Sequence, residues 1–170
     1  MLHDLPTFNA DGAFHVVVES PCGSALKLKF DPELRAMTLS RPLPMGLVYP
    51  FDWGFIAGTH AADGDPLDAF ILTDVPGQSG IVVACRALGV LEVDQRPPGQ
   101  QERERNDRVI AVPVKSPRYE DLATVFDCSE RWRDETARFF LNVTAFENKD
   151  AKILGWKGPD VARELIAQAR

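Results

Sequence analysis

The most chemically informative segment of this sequence is a short acidic run, Asp-Gly-Asp-Pro-Leu-Asp, at residues 63–68. Its three carboxylates repel each other unless a positive charge lies among them, and hard divalent cations such as Mg²⁺ take oxygen ligands of this kind. Gly64 allows a sharp backbone turn, and Pro66 fixes φ and stiffens the loop that aims the acids. Because Asp, Gly and Pro are also common in surface turns, the run alone fits either a metal site or an ordinary turn.

The sequence around this run carries a family resemblance. Residues 63–69 fit the signature of the soluble inorganic pyrophosphatases of the bacterial type (family I), which is Asp, small, Asp, Pro, apolar, Asp, small apolar. Further segments match that family in the same order, at residues 17–21, 26–28, 40–41, 49–50, 54–56, 85–91 and 110–113. The chain therefore resembles the family over roughly residues 12–147, which a chance match to one short motif would not produce.

The activity that this resemblance implies is hydrolysis of pyrophosphate to two phosphates, with Mg²⁺ as the cofactor and Mn²⁺ or Zn²⁺ as further candidates. The reaction is phosphoryl transfer to water, which depends on positioning and on neutralisation of charge more than on covalent catalysis. Metal ions neutralise the phosphates and lower the pKa of a coordinated water, which creates a nucleophile near neutral pH. We therefore expect a cluster of carboxylates to face a cluster of basic side chains.

The resemblance gives the charged residues three roles. Asp65 is the expected catalytic base, which helps to deprotonate the attacking water. The expected metal ligands are Glu19, Asp63, Asp68, Asp94 and Asp107, and the expected phosphate-binding residues are Lys27, Arg41 and Arg108. Asn106 stands where an aspartate is usual, and Asp107 is one residue away. A one-residue slip turns a side chain to the other face of a strand, so Asp107 could reach the metal only if a bulge or a nearby loop restores its direction. Without the resemblance, Glu19, Lys27 and Arg41 also fit ordinary surface charges.

Several positions depart from the family pattern. Lys29 stands where a second glutamate is usual, Trp53 replaces a tyrosine, and residues 143–144, Val-Thr, replace a Tyr-Lys pair that contacts phosphate. The candidates for the missing phosphate-binding cation are Lys29, Lys149 and Lys152. These departures leave two alternatives open: a hydrolase of the same fold that prefers another phosphoanhydride, and a non-catalytic member that binds anions or a protein partner.

The elements that must position these residues are strands first and helices last. Residues 14–19 and 80–91 are rich in apolar and β-branched side chains, and residues 26–30 alternate with period two, so all three predict strands. Ser129 is the expected N-cap of a helix, and Pro159 starts a final helix. The first helix has one predicted apolar face, made of Trp132, Thr136, Phe139, Phe140, Val143 and Phe146. This order predicts an α+β fold, which the resemblance narrows to a small, distorted five-stranded barrel of the oligonucleotide-binding type with two helices packed near the C-terminus.

Length, composition and charge limit the number of domains, the classes of partner and the cellular compartment. A chain of 170 residues predicts one domain, here a pyrophosphatase-like domain over residues 1–170. A core of this size needs no disulfide bonds or structural metal ions to be stable. A net charge of −6 argues against nonspecific binding to nucleic acid or anionic membranes, and no apolar run is long enough to span a bilayer. Three cysteines without a CxxC pair, and a start without a signal-peptide pattern, predict a cytoplasmic protein. The resemblance implies a homo-oligomer, commonly a hexamer among bacterial members.

Overall fold

The computed structural model of the chain describes residues 1–61 and 64–170. Most of the strands lie before residue 114, and the two helices lie in the last third. The strands are β1 (Phe14–Ser20), β2 (Leu26–Asp31), β3 (Ala36–Pro42), β4 (Asp52–Ile56), β5 (Asp68–Ile71), β6 (Val82–Gln95), β7 (Glu104–Arg105), β8 (Arg108–Pro113) and β9 (Lys152–Lys157). The helices are α1 (Glu130–Val143) and α2 (Pro159–Gln168), with a 3₁₀ turn at Val125–Asp127.

Five strands pair in a ring. β1 pairs with β4, β4 with β5, β5 with β8, β8 with β6, and β6 returns to β1. The β5–β8 pair is parallel and the other four pairs are antiparallel. Register shifts between Val18 and Ser20 and between Ala87 and Gly89 distort the ring, as bulges do. The α+β prediction, with five strands in a ring and two helices near the C-terminus, is confirmed.

Alternation along the ring strands divides the apolar side chains between two clusters. In β5, Ala69 and Ile71 pack in a cluster with Ile166 of α2, whereas Phe70 packs in a second cluster with Phe140 of α1. The period of two that places alternate side chains on opposite faces of a strand produces this division. Each helix therefore covers its own face of the same strands, and the α1 face borders the charged residues described below.

A glycine lets two ring strands approach closely. A Cβ on Gly54 in β4 would lie 1.8 Å from the carbonyl oxygen of Val17 in β1, a distance that no side chain permits. The same strand carries Trp53, which is buried in the cluster beneath α1. Gly54 thus fixes the approach of β4 to β1, and with it the placement of Trp53 beside the charged side chains.

The helices begin where the sequence predicts, but the predicted apolar face of α1 is one residue too long. Ser129 caps α1 by accepting a hydrogen bond from the Trp132 amide at 3.1 Å. The helix ends at Val143, and Phe146 lies in the following turn with 83% of its surface exposed, so its predicted place on the buried face is wrong. Strand β9, between the two helices, was not predicted; it pairs with β6.

The hairpin of β2 and β3 stands apart from the ring and is tied to it through side chains of β1. The Ser20 hydroxyl accepts a hydrogen bond from the Leu28 amide at 2.9 Å, and the Glu19 carboxylate accepts one from the Phe30 amide at 2.8 Å. Because both contacts fall on alternate residues of β2, they hold one edge of the hairpin against the end of β1. The basic residues of β2 are positioned by this attachment.

Two further expectations concern thiols and membranes. Cys22, Cys85 and Cys128 are all free. Within the part of the chain that the structure describes, neither helix has the length and apolar character needed to cross a bilayer.

Candidate active site

The end of the acidic run opens β5 and is held by backbone contacts. The amide of Ala61 donates to the carbonyl of Asp65 at 2.7 Å, and the amide of Leu67 donates to the Thr59 hydroxyl at 3.0 Å. Asp68 is the first residue of β5. Asp63, a predicted metal ligand, lies outside the described residues. The chain is therefore anchored at Asp65 and at Leu67, directly before Asp68.

Asp68 and Arg108 lie side by side because their strands run parallel. The pairing of Ala69 with Val109 aligns the first residues of β5 and β8, and Arg108 Nη1 lies 2.7 Å from Asp68 Oδ2. The guanidinium of Arg108 is buried, with its Cζ 5.4 Å from the ring centre of Trp53 and 5.3 Å from that of Phe140. A cation over an aromatic face is attracted to it, most strongly over Trp. Trp53 thus supports the cation that faces the acidic run.

The Glu19 side chain is buried and lies near Asp68. Burial is the largest cause that raises the pKa of Glu19 to about 7, and the charge of Asp68 adds to it, whereas the hydrogen bond from Phe30 opposes it. A carboxylate removed from water holds its proton more tightly unless cations stabilise the ionised form. Glu19 is therefore poised to ionise when a cation arrives, and it is an internal acid rather than a solvated one.

Lys27 and Arg41 face each other across the hairpin of β2 and β3. Burial lowers the pKa of Lys27 to about 8, and the charges of Lys149, Arg108 and Arg41 lower it further, against the opposing effect of Asp68. These four cations line one depression, together with Tyr49, Trp53, Phe70, Phe139, Phe140, Val143 and Thr144. A cluster of cations that lowers the pKa of its lysines favours the binding of an anion, which relieves the repulsion.

Acids and cations meet in an adjoining cavity of about 190 Å³. Its lining residues are Glu19, Lys27, Lys29, Trp53, Asp65, Asp68, Gln95, Pro97, Glu104, Asn106, Arg108 and Lys149. Lys29 Nζ lies 2.9 Å from Asp65 Oδ2. The structure thus brings together Glu19, Asp65 and Asp68 with Lys27 and Arg108 in this cavity, and Arg41 in the adjoining depression.

The structure does not bring Asp94 and Asp107 into this cavity. Asp94 pairs with Arg103, and Asp107 Oδ2 pairs with Arg105 at 2.9 Å and accepts a hydrogen bond from the Val93 amide through Oδ1. Their chain neighbours Gln95 and Asn106 line the cavity instead. The expected orientation of these two acids is therefore corrected: the one-residue offset turns them to the opposite face, and neither the strand nor the loop restores it.

Sequence reasoning missed Gln95, Glu104 and Glu147 as members of the site. The signal for Gln95 was present, because Leu91 and Val93 are buried on one face of β6 and an alternating strand continues that face to Gln95. The amide of Gln95 donates to Glu104 Oε1 at 3.0 Å, which draws Glu104 to the cavity. Glu104 lies in the two-residue strand β7, and Glu147, which contacts Arg41 and Lys149, lies in a turn. Neither stretch has a periodicity that predicts the direction of a side chain.

The carboxylates fit a hard divalent cation, although they do not yet converge as its ligands. Within residues 1–61 and 64–170, no three His, Cys, Asp or Glu side chains form a group ready to hold a metal ion. Glu19, Asp65 and Asp68 nevertheless line one cavity and offer the oxygen donors that Mg²⁺ takes. Asp65 and Asp68 each contact a protein cation, so a bound metal ion would share or replace Lys29 and Arg108 at these oxygens.

Comparison with known proteins gives a consistent match over nearly the whole chain. The family model described as inorganic pyrophosphatase matches residues 16–170. A curated inorganic pyrophosphatase of Synechocystis sp. is 35% identical over 167 residues, which cover 98% of this chain and 95% of that protein. One from Thermus thermophilus is 36% identical over 155 residues, which cover 89% of this chain and 85% of that protein.

Solved structures agree with the sequence comparisons. The crystal structure of inorganic pyrophosphatase from Thermus thermophilus matches with a TM-score of 0.89 at 34% identity, covering 99% of this chain and 95% of that one. An inorganic pyrophosphatase from Coxiella burnetii matches with a TM-score of 0.85 at 33% identity, covering 97% of each chain. The similarity therefore extends over the ring, the hairpin and both helices rather than over one motif.

Proposed function

This chain belongs to the inorganic pyrophosphatase family, and from that membership we propose that it hydrolyses pyrophosphate to two phosphates with a divalent cation, Mg²⁺ in preference to Mn²⁺ or Zn²⁺. The observation that carries the proposal is the meeting of Glu19, Asp65 and Asp68 with Lys27 and Arg108 in one cavity. Acids beside cations suit a substrate that is itself highly negative and arrives with metal ions.

The acids take the metal-binding and base roles. Asp63, Asp68 and Glu19 would hold the divalent cation, which supplies charge neutralisation and a lowered pKa of coordinated water when bound. Asp65 accepts the proton of the attacking water through its carboxylate. The Lys29 side chain beside it is 47% exposed, so it has room to turn toward solvent as the substrate enters. Asp94 and Asp107 are retained only as structural acids in this proposal, because both contact arginines outside the cavity.

The cations hold the substrate. Lys27, with a pKa of about 8, is mostly protonated at neutral pH, and a bound phosphate stabilises that charge further. Arg41 lies opposite Lys27 on the hairpin, and Arg108 spans the acids and the aromatic floor. The three groups approach the depression from different elements, so they would fix the orientation of two phosphate groups relative to Asp65.

A second candidate is a hydrolase of the same fold that prefers another phosphoanhydride. The observation that favours it is the end of α1, where Val143 and Thr144 line the cationic depression in place of a Tyr-Lys pair. Release of phosphate from pyrophosphate, measured with Mg²⁺ beside a panel of nucleoside diphosphates and triphosphates, separates the candidates. A kcat/KM at least tenfold higher for pyrophosphate than for any nucleotide supports the first, and the reverse order supports the second. No release from any of these substrates would support the non-catalytic alternative.

The assembly and location are also proposals. We infer a cytoplasmic homo-oligomer, a hexamer by family resemblance, because closed symmetric assemblies are the common form of soluble oligomers. Three free thiols agree with a reducing compartment. Light scattering at micromolar concentration tests the assembly, and a monomer mass would overturn it.

A further inference from the structure

The end of α1 carries no cation toward the phosphate-binding depression. Val143 is buried in the core beneath the helix, and the Thr144 hydroxyl donates to the carbonyl of Phe140 at 3.0 Å. Both residues line the depression, but a methyl surface and an engaged hydroxyl give little to a phosphate oxygen. The cation that would complete this wall has to come from another part of the chain.

Lys149 comes from the turn that follows the helix, and the backbone there is held in an unusual shape. Its neighbours Asn148 and Asp150 both have a left-handed backbone, with φ of 55° and 43°. Residues other than glycine adopt such angles uncommonly, and they persist where surrounding contacts enforce them. The turn is thus a defined structure that presents Lys149 between two left-handed residues.

Those enforcing contacts come from the excursion between β6 and β7. Asp150 Oδ2 lies 2.6 Å from Arg103 Nη1 and 3.2 Å from Arg96 Nη2. The amide of Arg96 donates to the carbonyl of Lys149 at 2.7 Å. The backbone of Lys149 is therefore fixed from outside the cavity, and its side chain is left to point inward.

The ammonium of Lys149 enters the cationic cluster. Its side chain lines both the depression with Arg41 and the cavity with Asp65, and its Nζ lies 2.9 Å from Glu147 Oε2. Burial lowers the pKa of Lys149, and the charges of Arg108 and Arg41 lower it further, with Asp68 opposing. A cation held next to other cations, with Glu147 as a shared counter-charge, is in a suitable place to meet an anion.

Glu147 joins this lysine to the hairpin. Its Oε2 contacts Lys149, and its Oε1 contacts Arg41, whose Nη2 also donates to the carbonyl of Val143 at 3.1 Å. One carboxylate therefore contacts two cations that come from different elements, β3 and the turn after α1. In this arrangement it holds both cations at the depression that they line.

The other two candidate lysines, Lys29 and Lys152, are less suitable for this phosphate contact. Lys29 is engaged with Asp65 on the acidic side of the cavity. Lys152 lies in β9 opposite Asp94, with its side chain exposed and outside the lining of both depressions. Lys152 carries the same charge three residues from Lys149, which makes it a matched control.

We propose that Lys149 is a substrate-binding residue of this site, which supplies from the turn after α1 the phosphate contact that the end of the helix lacks, and that Glu147 is the positioning residue for Lys149 and Arg41. The proposal rests on the proposed function for its substrate, pyrophosphate. Binding of the phosphate would replace Glu147 as the main partner of Lys149, so the carboxylate acts as a placeholder for the substrate anion.

The first test compares Lys149→Met with Lys152→Met. We measure pyrophosphate hydrolysis with Mg²⁺ and, independently, pyrophosphate binding by calorimetry in a chelator. Loss of one charged hydrogen bond to phosphate should weaken binding about 10- to 100-fold in Lys149→Met, and Lys152→Met should stay within about twofold of the unmodified chain. Equal effects in the two variants would indicate a general charge effect and overturn the assignment, as would an unchanged Lys149→Met.

The binding measurement separates this proposal from the activity. If the unmodified chain binds pyrophosphate but does not hydrolyse it, the proposed function fails while the role of Lys149 is still decided by the calorimetry. Lys149→Arg should keep most of the affinity, because it retains the cation, and its thermal unfolding shows whether the turn tolerates substitution. If Lys149→Arg is well folded and as weak as Lys149→Met, the phosphate contact is contradicted.

A rescue variant tests the idea of a relocated lysine. Adding Thr144→Lys to Lys149→Met returns a cation to the end of the helix, and we expect it to recover at least part of the lost affinity. Glu147→Gln should raise KM more than it lowers kcat, and its effect should be smaller in the Lys149→Met background, because the two residues act as a pair. Strict additivity of the two substitutions would contradict the positioning role of Glu147.

Discussion

Lys29 Nζ lies 2.9 Å from Asp65 Oδ2, so the expected catalytic base contacts an ammonium group of the protein itself. This lysine stands where a second glutamate is usual in the family that the sequence resembles. The reversal of charge removes one oxygen ligand from the cavity and adds a cation to its acidic side. Lys29 and a divalent cation would then compete for the same carboxylate.

The first prediction follows from that competition. Lys29→Glu removes a protein cation and adds an oxygen donor, so it should tighten binding of Mn²⁺ by about tenfold or more, which corresponds to roughly 1.4 kcal/mol. Free Mn²⁺ measured by electron paramagnetic resonance reports this affinity without any need for turnover. Lys115→Glu is the matched control, since Lys115 is exposed and outside the cavity. Equal tightening in both variants would show that only the net charge matters.

The second prediction concerns Asp65 as the base. Asp65→Asn keeps the size of the side chain but loses the proton acceptor, so turnover of pyrophosphate should fall by roughly 10²- to 10⁴-fold. Folding should change little, because one of the mutually repelling acids is neutralised. Thermal unfolding measured beside the kinetics separates the two effects. A well-folded Asp65→Asn variant with near-normal turnover would remove Asp65 from this role.

The third prediction concerns Asp94, whose side chain points away from the cavity that the neighbouring Gln95 lines. Asp94→Asn should cost about 1 kcal/mol of stability or less, because its partly exposed ion pair with Arg103 is weakened. Its kcat/KM should stay within about threefold of the unmodified chain. Asn106→Asp, in contrast, adds a carboxylate to the lining of the cavity and should tighten Mn²⁺ binding. If Asp94→Asn abolishes metal binding, the orientation of β6 in solution differs from the structure.

The fourth prediction is a pH dependence of stability that arises from Glu19. In the metal-free protein its pKa is about 7, above the usual 4.5, so the folded state binds the proton more tightly than the unfolded state. Stability from this group is therefore present below about pH 4.5 and is lost as the pH rises toward 7, by up to about 3 kcal/mol.

Urea unfolding in a chelator at pH 5 and at pH 8 measures this loss. Glu19→Gln cannot ionise, so the difference in unfolding free energy between the two pH values should be smaller in that variant. An unchanged difference would assign the pH dependence to other groups. Exposed Glu33→Gln is a suitable control, because its environment does not resemble that of Glu19.

The parts of the site that the sequence predicts are those set by local pattern. The strand at residues 26–30 and the N-cap at Ser129 depend on neighbours in the chain, and the structure has both of them. The predicted alternation of burial along β2 is not seen, because Leu26 is exposed while Phe30 is buried. The ring of strands was predicted from the family resemblance, because no local pattern in the sequence reveals which strands pair.

The parts that escaped prediction depend on direction and on irregular backbone. Asp94 and Gln95 differ by one position, and only the burial of Leu91 and Val93 on one face of β6 decides which of them enters the cavity. Lys149 could not be chosen among three lysines, because its direction depends on two left-handed residues and on contacts with Arg96 and Arg103. Strand β9 is short and contains a glycine, so its pairing with β6 had little local signal.

The most direct test of the central claim is the initial rate of phosphate release from pyrophosphate by the purified chain, with Mg²⁺ and then with excess chelator. The account predicts release with Mg²⁺ that stops on chelation, and loss of that release in Asp68→Asn, which lacks a carboxylate expected to bind the metal. Release that continues unchanged in excess chelator would contradict the metal-dependent mechanism. The absence of release with Mg²⁺, Mn²⁺ and Zn²⁺ alike would contradict pyrophosphate hydrolysis by this chain.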